Sequence, residues 1–274
     1  MGRSAKQYSI GIALGGGGAR GFAHLGVLQA LAERGIKPDI ISGTSAGAIA
    51  GGFVAAGYSP KEAFELIRKY RFTAFTELTI PKTGLLSSAK MKSSLLKPIA
   101  KHRIEELEIP LIICVSNMLE GKVEYLDQGL LGEVIQASAS IPVLFSPVEI
   151  NGKLYSDGGL FDNVTIRPLQ KMCDKVIGVS ISPIQRIDGL KNLVQVSTRM
   201  FQLAVNPGKG VLKRKCDLYI EPKELSQYDL MDTKHAQEIF DIGYNHAMEI
   251  DLTTVLKQKK PNFRSALKFL KLRS

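Results

Sequence analysis

Three short stretches hold residues that could act together on an electrophile. Gly43-Thr44-Ser45-Ala46-Gly47 has the form Gly-x-Ser-x-Gly, with Ile40 and Ile41 before it and Ala46, Ala48, Ile49, Ala50 and Phe53 after it. An apolar run, a sharp turn and a helical pattern are the setting in which a serine sits on a strained corner with its hydroxyl presented. Gly43 and Gly47 keep side-chain bulk away from that corner. The helix that follows aims unpaired amides and a positive dipole end at the serine oxygen. One strand and helix earlier stands Gly15-Gly16-Gly17-Gly18-Ala19-Arg20-Gly21, a loop of bare backbone amides suited to an anion. Much later, Ser156-Asp157-Gly158-Gly159 offers a carboxylate in a tight loop. A serine, a proton acceptor and donors for a developing oxyanion are the parts of nucleophilic acyl chemistry. Taken singly, each stretch also fits a plainer role: a βα turn with two packing glycines, a nucleotide loop, or a turn-forming Asp-Gly.

The rivals separate on context. Gly16-x-Gly18-x-x-Gly21 fits the dinucleotide fingerprint, which needs an acid at the end of the second strand. Asp39 begins that strand, and Gly43-Thr44-Ser45 occupies its end. A Walker A loop fails because no Gly-Lys-Ser/Thr closes it. The glycine loop and the serine turn would instead lie side by side at one edge of a parallel sheet. There the amides of Gly16, Gly17 and Gly18 could hold an oxyanion formed by attack of Ser45. The base is less plain. The four histidines are His24, His102, His235 and His246, and none sits in a late loop like that of a catalytic triad. His24, just past the glycine loop, is the one that could reach Ser45, though a helix-packing role suits it as well. Asp157 is the better candidate. As a base it needs burial, because a carboxylate in water has a pKa of about 4.

The elements around these residues alternate. A strand over Tyr8–Leu14, a helix ending at Gly35, a strand at Ile40–Ile41 and a helix from Ala46 are expected in order. Ser59-Pro60-Lys61-Glu62 is a capping box that opens a helix to about Tyr70. The stretch 72–88 lacks a clean period and is expected as an irregular surface segment that could act as a lid. Helix is expected over 90–102 and 133–139, strand over 111–117, and a hairpin on Asn151-Gly152 that delivers Asp157. Strands over 176–182 and 217–220 and helices over 190–205 and 232–249 complete an α/β domain with a mostly parallel sheet.

The chain as a whole bounds these readings. Its 274 residues fit one large domain, and no linker or repeat interrupts them. Residues 40–60 carry no charge, a length that could cross a bilayer, but five glycines with Ser42 and Ser45 within it favour a buried strand and helix. Cys114, Cys173 and Cys216 are odd in number and far apart, which fits reduced thiols and not a disulfide framework or a metal site. With no targeting segment evident, the expected location is cytoplasmic, with peripheral contact at the inner membrane face. The net charge is +10, and after Asp251 there are seven basic residues and no acid. That basic tail, 251–274, is expected to be a solvated end or a surface helix, with residues 257–274 touching an anionic membrane. No nucleic-acid partner is expected, since no recognised binding fold surrounds the tail.

Gly16-Gly17-Gly18-Ala19-Arg20-Gly21, Gly43-Thr44-Ser45-Ala46-Gly47 and Asp157-Gly158-Gly159, in that order, resemble the patatin-like phospholipase family. Ala137-Ser138-Ala139-Ser140-Ile141-Pro142 through Pro147, and Asn163, strengthen the likeness, which covers residues 8–250. The resemblance implies a three-layer α/β/α fold with a mostly parallel central sheet, over a domain of residues 1–250. It implies hydrolysis of lipid acyl esters, such as phospholipids and lysophospholipids, through an acyl-serine, with a Ser–Asp dyad and neither metal nor cofactor. Carried onto this chain, Ser45 is the nucleophile, Asp157 the base, and Gly16, Gly17 and Gly18 the oxyanion donors. Arg20, Gly21, Gly43, Gly47, Gly158 and Gly159 support the motifs. One departure is Thr165, where many members have proline. An esterase or thioesterase on soluble acyl groups, and a non-catalytic lipid-binding or regulatory protein of the same fold, are the alternatives.

Overall fold

A computed structural model describes residues 6–69, 77–78, 84, 86–87, 95–206 and 209–256. The elements run β1 Tyr8–Leu14, α1 Phe22–Glu33, β2 Ile40–Gly43, α2 Ala46–Ala55, α3 Pro60–Ile67, β3 Glu77–Leu78, β4 Leu86–Ser87, β5 Leu111–Asn117 and β6 Lys122–Leu126. They continue with α4 Leu131–Ser138, β7 Val148–Ile150, β8 Lys153–Asp157, α5 Gly159–Asp162, α6 Arg167–Met172 and β9 Cys173–Val179. The last are α7 Leu193–Ala204, α8 Lys209–Lys215, β10 Leu218–Ile220, α9 Ala236–Glu249 and α10 Thr253–Leu256.

Eight strands form one sheet in the order β10-β9-β1-β2-β5-β8-β7, with β6 also paired to β5. β10, β9, β1, β2 and β5 are parallel, whereas β8, β7 and β6 join antiparallel. The strands in the middle are apolar on both faces, as a sheet covered on both sides requires. Ile12 and Leu14 of β1, Ile41 of β2, Ile113 and Val115 of β5 and Ile177 of β9 enter one core with α1, α2, α4 and α9. Their alternates, Ala13, Ile40, Ile112 and Val176, enter a second core with Leu169 of α6. Two cores on opposite faces make the three-layer α/β/α arrangement. The helix layer is tight: a side chain at Gly26 of α1 would overlap the Phe240 carbonyl of α9, so the two helices meet backbone to backbone.

The register sets the site. Leu14 pairs with Gly43, so the loop after β1 and the turn after β2 leave the sheet together. Asp157, the last residue of β8, pairs with Val115 just beyond the level of that turn. The uncharged stretch 40–60 is β2 and buried α2, and among the described residues no helix is long and apolar enough to cross a membrane.

Some expectations shift. Of the expected helix 90–102, residues 90–94 lie outside the described residues and 96–102 are turns and irregular chain, from which Leu96 and Ile99 reach the core. Strand β6 is not among the expected elements, although Lys122–Leu126 alternates polar and apolar residues after the turn at Gly121, as a half-exposed edge strand does. Strand β9 starts three residues earlier than expected, at Cys173, because Asp174 and Lys175 lie on the sheet despite their charge. Most of the stretch 72–88, and the tail 257–274, lie outside the described residues.

Candidate active site

Ser45 sits between β2 and α2 with φ 53° and ψ −118°, a strained conformation for a residue with a side chain. Its surroundings impose it. The Ser45 N–H donates to Ser138 Oγ at 2.9 Å, and Ser138 donates in turn to the Cys114 carbonyl at 2.7 Å. Thr44 N–H donates to the Leu14 carbonyl at 3.0 Å, locking the turn to β1. A side chain at Gly47 would overlap that same Leu14 carbonyl, so the first turn of α2 lies directly on the β1 backbone. Gly43 is under the same restriction against Ala48, and Gly21 packs against Ala46.

Asp157 is fully buried. Its Oδ1 accepts the Gly159 N–H at 2.8 Å, while Oδ2 accepts no hydrogen bond from any described residue. Burial raises its pKa to about 7; the Gly159 amide and the nearby Ser45 hydroxyl pull the other way, more weakly. Ser45 is thus close enough to favour the carboxylate without completing a hydrogen bond to Oδ2. The Asp157 backbone is anchored on both sides: its N–H donates to the Ser140 carbonyl and its C=O accepts from Ser116 Oγ. Gly158 packs on the Cys114 carbonyl, which brings the loop against β5.

The glycine loop divides by function. Gly16 N–H donates to Asn163 Oδ1 at 2.9 Å, and the Gly16 carbonyl accepts from Ser182 Oγ at 2.7 Å. That amide is therefore committed to holding the loop. The N–H groups of Gly17 and Gly18 donate to no described residue, and both glycines line a small cavity shared with Ser45 and Ile141. A second, larger cavity opens from Ser45 and is lined by Phe22, Leu25, Ile49, Ile67, Leu95, Ile141, Phe145, Leu230 and Met231. It is an apolar pocket with a strained serine at its rim.

A family model described as patatin-like phospholipase matches residues 12–169, just over half of the chain. The chain belongs to the patatin-like phospholipase family. Among its relatives, a protein named lysophospholipase NTE1 from Kluyveromyces lactis is 27% identical over 277 residues, covering 89% of this chain and 19% of that one. An uncharacterised NTE family protein of Mycobacterium tuberculosis is 34% identical over 183 residues, covering 66% of this chain and 51% of that one. The chain thus spans about a fifth of the first relative and about half of the second. Among solved structures, VipD from Legionella pneumophila aligns with a TM-score of 0.49 at 18% identity, over 90% of this chain and 67% of that one. ExoU of Pseudomonas aeruginosa aligns with a TM-score of 0.45 at 16% identity, over 98% and 60%.

In this patatin-like chain Arg20 turns away from the serine. Its guanidinium donates to the carbonyls of Tyr228, Pro183 and Ser226, and burial lowers its pKa to about 10. It clamps the segment around Tyr228 onto the glycine loop. His24 is fully buried, with Nε2 at 2.7 Å from the Gly15 carbonyl and Nδ1 bonded to no described residue. Burial lowers its pKa to about 4, so it is neutral at pH 7 and supports the loop from below. Thr165, in place of proline, is used locally: its Oγ1 meets Thr44 Oγ1 at 2.9 Å and its carbonyl accepts from Ser42 Oγ. Asp39, the acid at the start of β2, accepts the Ile10 N–H at 2.7 Å and lies on the frame of β1. Among the described residues no group of His, Cys, Asp and Glu could hold a metal ion.

Two supports, Ser138 among the residues of the resemblance and Asp162 outside it, have roles that only the structure gives. Ser138 closes α4 in a run of small residues, and only a polar side chain on an otherwise apolar face marked it. Asp162 is buried at the end of α5, its carboxyl pushed up by burial and bonded by Tyr125 at 2.7 Å.

Proposed function

We propose that this chain hydrolyses the carboxylic esters of lipids, phospholipids or lysophospholipids, through an acyl-enzyme on Ser45 with Asp157 as the base. The observation that carries this reading is the unpaired Oδ2 of buried Asp157 beside a strained serine that opens on an apolar pocket. A carboxylate with a pKa of about 7 is a far better proton acceptor than one in water, yet is still substantially ionised at neutral pH.

The steps follow from the groups present. Asp157 Oδ2 takes the proton from Ser45 Oγ as that oxygen attacks the ester carbonyl. The free amides of Gly17 and Gly18 receive the oxyanion, while Gly16 holds the loop through Asn163. The proton on Asp157 passes to the departing alcohol, and the acyl group stays on Ser45. A water then gives its proton to Asp157, attacks the acyl-serine, and releases the fatty acid as Ser45 regains its proton. His24 takes no part, since its Nε2 is held by Gly15.

The apolar lining from Phe22 to Met231 suits an acyl chain, and relatives bearing the name lysophospholipase point to the same substrate class. The free thiols of Cys114, Cys173 and Cys216 suit a reducing compartment such as the cytoplasm. The test is labelling by a fluorophosphonate, with the modified peptide mapped in the parent and in Ser45→Ala. Label on Ser45 that disappears in the variant supports the reading. A folded protein that takes no label refutes it.

A further inference from the structure

Helix α7 is amphipathic in the wrong sense for a helix covering a core. Its buried residues are the polar Ser197 and Thr198, whereas Leu193, Met200 and Leu203 are 60%, 66% and 52% exposed. Those three are seven and three residues apart, which puts them on one helical face. The opposite side of α7 belongs to the site: Phe201, Gln202 and, at its end, Val205 line the cavity that holds Gly17, Gly18 and Ser45. The helix therefore separates the catalytic serine from solvent with an apolar outer wall.

The neighbourhood is charged with one sign. From Arg186 to Lys215 the sequence has seven basic residues and a single acid, Asp188. Helix α8 follows α7 directly and ends in exposed Lys213, Arg214 and Lys215. The apolar surface also continues around the mouth. Val143, two residues from the cavity-lining Ile141, is 52% exposed and has φ 70°. Phe161 of α5 is 48% exposed, and α5 begins against Val205.

We infer that the outer face of α7 is the docking surface for an anionic phospholipid bilayer, with Leu193, Met200 and Leu203 entering the acyl boundary and the basic end of α8 on the headgroups. An exposed apolar stripe followed along the chain by a basic cluster has the composition of an interfacial segment. Its place on the wall of the serine cavity gives it a purpose. A bilayer seated there presents its ester groups to the cavity mouth, so a substrate acyl chain need not cross water. The inference rests on the proposed lipid hydrolysis for that purpose, but not for the binding itself.

The test is co-sedimentation of the full chain, carrying Ser45→Ala so that no lipid is consumed, with phosphatidylcholine vesicles and with the same vesicles containing phosphatidylglycerol. Met200→Gln with Leu203→Gln should weaken binding to the anionic vesicles by about tenfold or more. Lys213→Gln with Arg214→Gln and Lys215→Gln should abolish the preference for anionic vesicles and its salt dependence. With Ser45 intact, the Met200 and Leu203 changes should leave hydrolysis of a soluble short-chain ester within about twofold, since neither residue lines the cavity. Undiminished vesicle binding by that double variant overturns the inference. So does a dimer, seen by light scattering, that the double variant dissociates while vesicle binding persists. If vesicle binding behaves as expected and no ester is ever cleaved, the docking surface stands and the hydrolytic reading falls.

Discussion

The amide of Gly16 donates to Asn163 Oδ1 at 2.9 Å, tying the glycine loop after β1 to the chain just beyond α5. Asn163 is buried, and a side chain at Gly16 would collide with its Oδ1, so the bond needs a glycine at position 16. Through this bond the loop proposed to offer Gly17 and Gly18 to an oxyanion is held against the segment that follows Asp157. Asn163→Ala leaves a buried amide unpaired and lets the loop move. A stability loss of about 1–3 kcal/mol is expected. On a soluble ester kcat should fall about tenfold to a hundredfold with little change in KM, because the donors act on the transition state. Unchanged kcat in a folded variant would sink this role.

Ser138→Ala should act from behind on Ser45, the proposed nucleophile. Ser138 Oγ is the acceptor for the Ser45 N–H and the donor to the Cys114 carbonyl, so its loss leaves two buried backbone groups unsatisfied at the strained turn. The expected result is a drop in Tm of about 2–6 °C and a fall in the rate of fluorophosphonate labelling at Ser45. Labelling at the parent rate would mean that Gly43 and Gly47 alone hold the elbow.

The motif residues were legible because their constraints are local. Gly47 must lack a side chain against Leu14, and the strand–turn–helix grammar around Ser45 states this in five letters. The hairpin on Asn151-Gly152 was legible for the same reason, with both residues at positive φ. What escaped was long-range. Ser138 is ninety-three positions from Ser45, and nothing near either residue announces the contact. The Gly16 amide looked like one of three equivalent donors until Asn163 removed it. Residues 96–102 looked helical by period, yet tertiary burial of Leu96 and Ile99 from an irregular path prevailed over propensity. The apolar face of α7 was readable as a helix but not as exposed, since periodicity gives a stripe and not the side it faces.

Asp157→Asn should keep the fold, because an amide oxygen at the same place still accepts the Gly159 N–H. It removes the proposed proton acceptor, so kcat on any ester should fall by about a thousandfold or more. In the parent, kcat/KM should rise with pH through about 7 and level off above it, as burial places the carboxylate there. A profile that bends near pH 4 instead would mean Asp157 is solvated when the enzyme is free, and the base assignment would fail.

Stability should respond to pH through two buried groups that work in opposite directions. Asp157 is raised from 3.8 to about 7, so in that window the folded chain keeps a proton that the unfolded chain releases, and stability falls as pH rises. His24 is lowered from 6.5 to about 4, so in that window the unfolded chain binds a proton that the folded chain refuses, and stability rises with pH. Between about pH 4 and 6.5 the two slopes, each about 1.4 kcal/mol per pH unit, nearly cancel. Substitution should unmask them. Relative to the parent, Asp157→Asn gains on the order of 4 kcal/mol between pH 4 and pH 8. His24→Gln changes in the other sense: it is relatively most stable near pH 4, and its advantage falls by on the order of 3 kcal/mol as pH rises to 6.5. Urea midpoints of the three proteins measured across this range decide the matter. If the parent and Asp157→Asn run parallel from pH 4 to 8, the carboxyl of Asp157 is not the buried, uncompensated group on which the catalytic reading depends.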